Sequence, residues 1–312
     1  MVNSQQLIGL AIDTCSRCPH PWPRGVCPLC APGPMQQPPP ADATAPATDE
    51  DVEAALLRGL RMQPPALVLR GGEVLLRKNA LELLTACRQA GVNRVEVWTA
   101  GTLLARPGLA AAIARAGATE VGVVLFGDTA EGHDFVAQTP GHFQKVLAGV
   151  QRARRAGLQV RVLAPVLRPT FRGLHSLVKK AVPAGVQGLY VWAPAGPDRA
   201  AHPLLAPLPI MAPFVQAALN LAKTAGLSVR CEGIPACQLD SHAGIAVATM
   251  PAIGAGPAQT GELPFDFGPI CEQCSWRGRC VGVSRARIEA HGWVGFAARS
   301  DPAQLANLPA LR

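Results

Sequence analysis

The chain has 312 residues, 49% of them hydrophobic and 4% aromatic, with a net charge of +8 and a pI near 9.2. That length suits one large domain, or a large and a small one, with a sizeable core. No run of about 18 uncharged apolar residues occurs, so no membrane span is predicted, and the scattered positive charge (Arg152, Arg154, Arg155, Arg168, Arg172, Lys179, Lys180) with a single tyrosine argues against a nucleic-acid stacking surface.

The opening residues MVNSQQLIGLAID lack the basic and long apolar regions of a signal peptide, and the chain reads as cytoplasmic. In that compartment ten cysteines are not expected to form disulfides. Nine of them fall in two clusters, at 15–30 and 231–280, which points to metal ligation. Cys87 stands alone among leucines of a helical pattern and reads as a small core residue.

Residues 7–12 (LIGLAI) read as a short buried strand. The first cluster follows at once: Cys15, Cys18, Cys27 and Cys30, in the spacing C-x2-C-x8-C-x2-C. His20 and Trp22 lie in the wide loop between its two pairs. Residues 31–48 are rich in Pro, Ala and Thr and read as a disordered insertion. A helix then starts near DVEAALLRGLR, capped by Asp49 or Asp51.

From there strands and helices alternate. Strands are predicted over 66–69, 94–98, 121–126, 160–167 and 189–193, and helices over 79–91, 108–116, 143–156 and 174–182. The strands are β-branched and apolar on both faces, which signals a parallel sheet covered on both sides. Ligands then belong at the carboxyl ends of the strands, where the first cysteine cluster sits. The second strand ends in Gly71-Gly72-Glu73: two glycines allow a tight turn and close ligand approach, and a carboxylate follows. A Pro-rich joint after 193 leads to a helix over 210–225. Beyond it lie Cys231, Cys237, Cys271, Cys274 and Cys280, the last three as C-x2-C-x5-C.

A cysteine cluster after strand one beside a Gly-Gly-Glu after strand two resembles the radical S-adenosylmethionine enzymes. So do EVWTAGTLL (96–104) and the stretch 121–160 with its His133-Asp134 pair. The resemblance covers about residues 7–192. It implies a partial (β/α)6 TIM-type barrel core over 1–205. It also implies an open-sited 4Fe–4S cluster on Cys18, Cys27 and Cys30, with Cys15 as a spare or substitute ligand. Gly71, Gly72 and Glu73 would then hold the ammonium of S-adenosylmethionine. Arg168 and Thr170, ending strand five, would face the cofactor. Residues 206–312 resemble the small auxiliary-cluster domain (SPASM or twitch) behind many such cores. They imply a second 4Fe–4S cluster on Cys237, Cys271, Cys274 and Cys280, with Cys231 the other candidate for the fourth ligand. The implied activity is cleavage of S-adenosylmethionine to start hydrogen abstraction, with a peptide as candidate substrate and an electron-donor protein as partner.

The sequence departs from the family pattern at the widened cysteine spacing. It also departs at Ala100, where Asn is usual, at Val74, where Pro is common, and at Val124-Leu125, where a polar residue often meets the ribose. The rival reading is a non-catalytic barrel with four-thiolate zinc sites, serving as a binding or scaffold protein. His133-Asp134 reads either as a ligand contact or as a turn and helix cap.

Overall fold

The computed structural model describes residues 10–14, 47–195, 203–247, 252–254 and 265–300. The four early cysteines, His20, Trp22 and most of the Pro-rich insertion lie outside the described residues.

All six predicted strands form: β1 (Leu10–Asp13), β2 (Ala66–Arg70), β3 (Arg94–Thr99), β4 (Glu120–Val124), β5 (Gln159–Pro165) and β6 (Gly188–Trp192). Each pairs in parallel with the next. Intervening helices are α1 (Asp49–Leu60), α2 (Ala80–Gln89), α3 (Leu109–Ala116), α4 (Ala130–Ala137), α5 (His142–Arg155) and α6 (Leu174–Ala181). The sheet does not stop at the sixth strand. After α7 (Leu208–Thr224) comes β7 (Ser228–Glu232), parallel to β6, and then β8 (Ala246–Val247) beside it. On the far side of β1, β9 (Ala252–Gly254) adds a further parallel strand. The result is a curled α/β half-barrel of the TIM type. A two-stranded antiparallel ribbon, β10 (Phe265–Asp266) and β11 (Val283–Ser284), precedes α8 (Arg285–His291).

Strand parity explains the continuous apolar runs. Alternate residues such as Val95, Val121, Val160 and Leu189 join the outer core with the apolar stripes of the helices. The opposite set, including Trp98, Val124, Leu163, Tyr190 and Trp192, forms a separate inner cluster. Each fully buried aliphatic side chain contributes about 1.5–3 kcal/mol, so both faces reward one register. Cys87 is buried in the outer core as expected, its thiol pushed up to about 12 by burial.

Local chemistry corrects three expectations. The α1 cap is Thr48: its Oγ1 accepts from Asp51 N at 3.1 Å, and Asp51 accepts from Thr48 N in return. α4 falls in a stretch for which the sequence predicts no helix; Thr129 caps it by accepting from Gly132 N. β7 was missed because SVRCE is polar at its exposed start and has no apolar run.

Candidate active site

The carboxyl end of the sheet gathers the candidate residues of the core. Thr14, the residue before Cys15, closes the top of β1. Its N donates to Arg70 O at 2.6 Å and its Oγ1 to Gly71 O at 3.0 Å. The base of the cysteine loop is thereby bonded to the glycine turn. Gly71 (φ 101°) and Gly72 (φ 71°) both take left-handed backbone that a side chain would strain.

Glu73 turns inward and is 1% exposed. Its Oε2 accepts from Thr99 Oγ1 and Ala100 N, each at 2.9 Å, and its Oε1 accepts from Leu75 N at 3.2 Å. The carboxylate therefore binds the tip of β2 to the Thr99-Ala100-Gly101 turn after β3. Ala100 supplies a backbone N–H, so the missing Asn side chain costs this contact nothing. Burial raises the Glu73 carboxyl from 4.5 to about 7, against the lowering effect of those three donors. Among the described residues no cation pairs with it. Three of roughly four acceptor positions are used, leaving room for one cationic donor. These residues fit an ammonium group.

Other candidates are placed differently. Arg168 is exposed, with its N donating to Leu204 O at 2.7 Å. Thr170 is buried, with its methyl against Gly127 and Gly132. Asp134 caps α5 by accepting from Gly141 N at 2.7 Å and Phe143 N at 2.8 Å. His133 is buried, accepts from Phe126 N through Nδ1 and meets His142 at 2.9 Å. Burial, then the neighbouring His142, pushes His133 down to about 3, so it is neutral. The pair thus serves as cap and core, and α4 lends Val136 and Ala137 to the inner cluster.

At the opposite end of the sheet Arg161 bridges Glu96 (3.2 Å) and Glu120 (3.3 Å), which also pairs with Arg94. This network of buried charges fills the amino-terminal end of the sheet.

In the C-terminal part, Cys237, Cys271, Cys274 and Cys280 line one apolar cavity with Trp276 and Phe267. Burial pushes the Cys237 thiol up to about 11, and its neighbours Cys280 and Cys274 add to this. Cys280 is raised by burial and by Cys274 and Cys271. Donors reach three of the sulfurs: Arg299 N to Cys274 Sγ at 3.4 Å, Gly282 N to Cys280 Sγ at 3.5 Å and Gln238 Nε2 to Cys237 Sγ at 3.8 Å. Such N–H···S bonds favour thiolates and tune a bound cluster. The donor set fits a thiolate-held metal centre, although no group of three or more His, Cys, Asp or Glu is gathered around a single-ion position among the described residues. Cys231 is separate, buried in the outer core on β7.

Thr14, Thr99 and Arg299 were not singled out from sequence. Thr14 had one signal, its place before the first cysteine. Thr99 opens the triplet already quoted, and nothing local marks Arg299.

No family model matches the chain. It is 30% identical over 128 residues to an AdoMet-dependent heme synthase of Methanosarcina barkeri, covering 41% of this chain and 36% of that protein. It is 34% identical over 125 residues to a GTP 3',8-cyclase of Rhodopseudomonas palustris, covering 38% and 34%. The matched part spans about a third of the length of these curated relatives. Among solved structures, anSMEcpe with bound AdoMet and Cp18Cys peptide superposes with TM-score 0.58 at 16% identity, covering 93% of this chain and 92% of that one. Streptococcus suis SuiB bound to S-adenosylmethionine gives TM-score 0.58 at 12% identity, covering 73% and 51%. The core of this chain is similar to radical S-adenosylmethionine enzymes, in sequence over about two fifths of its length and in fold over most of it. At the mouth of the sheet, Gly71, Gly72 and Glu73 follow β2, and Thr99-Ala100-Gly101 form the turn after β3. No helix among the described residues is long and apolar enough to cross a membrane.

Proposed function

We propose that this protein is a radical S-adenosylmethionine enzyme that reductively cleaves S-adenosylmethionine to begin hydrogen abstraction from a substrate. The observation that carries the reading is the bonded path from Thr14 to Gly71 and from Glu73 to Thr99 and Ala100. It ties the base of the cysteine loop to a buried carboxylate with which no cation pairs among the described residues.

Bound together, a 4Fe–4S cluster and S-adenosylmethionine supply one-electron cleavage of a sulfonium. The residues of this chain do the rest. Cys18, Cys27 and Cys30, with Cys15 as substitute, are the proposed thiolates of the catalytic cluster. Glu73 holds the cofactor ammonium in the buried slot beside Thr99, and Gly71 and Gly72 let the backbone approach it. Arg168 and Thr170 remain proposed cofactor neighbours at the tip of β5. The inner apolar cluster keeps water from the barrel interior.

Residues 206–312 are proposed as a SPASM- or twitch-like extension, whose first part, α7 and β7, continues the barrel sheet. Cys237, Cys271, Cys274 and Cys280 are the proposed ligands of an auxiliary cluster, supported by their shared cavity and their N–H···S donors. The proposed substrate is a peptide, since both structural neighbours have been solved with peptides bound. An electron-donor protein is the proposed partner.

The test is anaerobic purification and reconstitution, followed by counts of iron, sulfide and zinc and by assay of 5'-deoxyadenosine after dithionite and S-adenosylmethionine are added. Two clusters predict about eight irons. Cleavage should vanish in Glu73→Ala and Cys30→Ala. Tightly held zinc, no sulfide and no 5'-deoxyadenosine would overturn the reading in favour of a zinc-bearing scaffold. A precursor peptide encoded beside this gene should raise the yield of 5'-deoxyadenosine and change in mass; if no such peptide is altered, the peptide assignment falls.

A further inference from the structure

The inner face of the sheet carries a chain of aromatic and acidic side chains to which the proposed function gives no part in holding the cofactor. Tyr190 on β6 is the sole tyrosine of the sequence and is 2% exposed. Its hydroxyl donates to Glu232 Oε2 at the end of β7, a carboxylate 5% exposed. Its ring meets Trp98 of β3 edge-on, with centroids 5.1 Å apart. The Arg70 guanidinium lies over the Trp98 ring at 5.4 Å, and Arg70 directly precedes the Gly71-Gly72-Glu73 turn. Contacts therefore run without a gap from the cofactor motif through Trp98 to the phenol and its carboxylate.

Oxidising a phenol is easy only if its proton leaves with the electron, and a hydrogen-bonded carboxylate is a positioned acceptor for it. Trp98 is a poorer resting place for the missing electron. A guanidinium faces its ring, and the Glu96 oxygen that accepts its Nε1–H at 3.0 Å is shared with Arg161 at 3.2 Å.

We propose that Tyr190 is a redox-active tyrosine that quenches a carbon-centred radical formed on a substrate in the barrel, with Glu232 as its proton acceptor. The proposal rests on the radical reading given above. The Tyr190 O–H bond breaks. Its electron passes to the radical carbon, and its proton reaches that carbon by way of Glu232. A C–H bond forms, the substrate radical is reduced, and Tyr190 becomes a neutral phenoxyl. In sum one hydrogen atom moves. One electron from the reductant that serves the enzyme (dithionite in vitro) and one proton from solvent restore the phenol.

The test is flash photo-oxidation of the full-length protein with a ruthenium tris-bipyridine oxidant, followed by optical and electron paramagnetic resonance detection. Since the chain has one tyrosine, ring-deuterated tyrosine labels Tyr190 alone and leaves the fold untouched. A phenoxyl signal that narrows with the label and is lost in Tyr190→Phe is expected. Its rise should slow by about 100-fold in Glu232→Gln, the range typical of a removed general base. No phenoxyl in the wild type, or an equal rise in the Gln variant, would overturn the proposal. The flash needs neither S-adenosylmethionine nor substrate. Failure of the radical reading would show separately, as absence of 5'-deoxyadenosine.

Discussion

Thr14 and Gly71 are 57 positions apart in sequence, yet the threonine hydroxyl donates to the glycine carbonyl at 3.0 Å. This one bond sets the start of the cysteine loop against the turn that leads to Glu73. Replacing Thr14 by Val keeps the shape and removes the donor, leaving a buried carbonyl short of a partner at a cost of about 1–3 kcal/mol. Thr14→Val should lower the melting temperature modestly and weaken S-adenosylmethionine binding in equilibrium dialysis. Unchanged binding would mean that the loop is positioned by other contacts.

Glu73 carries a pH signature. In the folded protein its carboxyl titrates near 7 rather than 4.5. Between those values the folded state keeps a proton that the unfolded chain has lost. Stability therefore falls as pH rises through that window, by up to about 3 kcal/mol. An ammonium ligand favours the ionised form, so binding near pH 6 should release a proton. Calorimetry of S-adenosylmethionine binding in buffers of different ionisation enthalpy should show that release in the wild type, and Glu73→Gln should abolish it.

The C-terminal cysteines separate into two classes. Cys237 shares a cavity with Cys271, Cys274 and Cys280, whereas Cys231 is packed in the outer core. Cys237→Ser should lose about four irons after reconstitution. Cys231→Ala should keep the full iron content and lose about 1–2 kcal/mol of stability to the cavity it leaves. Equal iron loss in both variants would sink the assignment.

Gly101 and Gly149 mark where α5 presses on the turn after β3. A Cβ on Gly149 would come within 2.2 Å of Gly101 O, and one on Gly101 within 2.5 Å of Val123 Cγ1. Gly101 also has φ 87°. Gly149→Ala should cost about 1–3 kcal/mol in urea unfolding. It should also weaken cofactor binding, because the displaced turn carries two of the donors to Glu73.

Much of the architecture was legible because parallel strands covered on both faces read as apolar runs, as at VRVLAP in β5 and GLYVW in β6. β7 escaped notice because its burial depends on neighbours rather than on its own composition. Likewise α4 hides behind Gly132 and His133, residues of indifferent helix propensity that tertiary packing overrides. The Gly-Gly-Glu turn was visible as three letters, but the donors to its carboxylate were not.

By itself the sequence determined the parallel α/β core, the place of the cysteine loop after β1 and the carboxylate after β2. These follow from local periodicity and from residue types that only certain chemistry employs. Only the tertiary structure decided that Glu73 is buried against Thr99 and Ala100, that Cys237 rather than Cys231 meets the last three cysteines, and that Tyr190 touches Trp98 and Glu232. Each of those contacts joins residues far apart in the chain. The curl and stagger of the sheet set them, and no window of sequence encodes that curl.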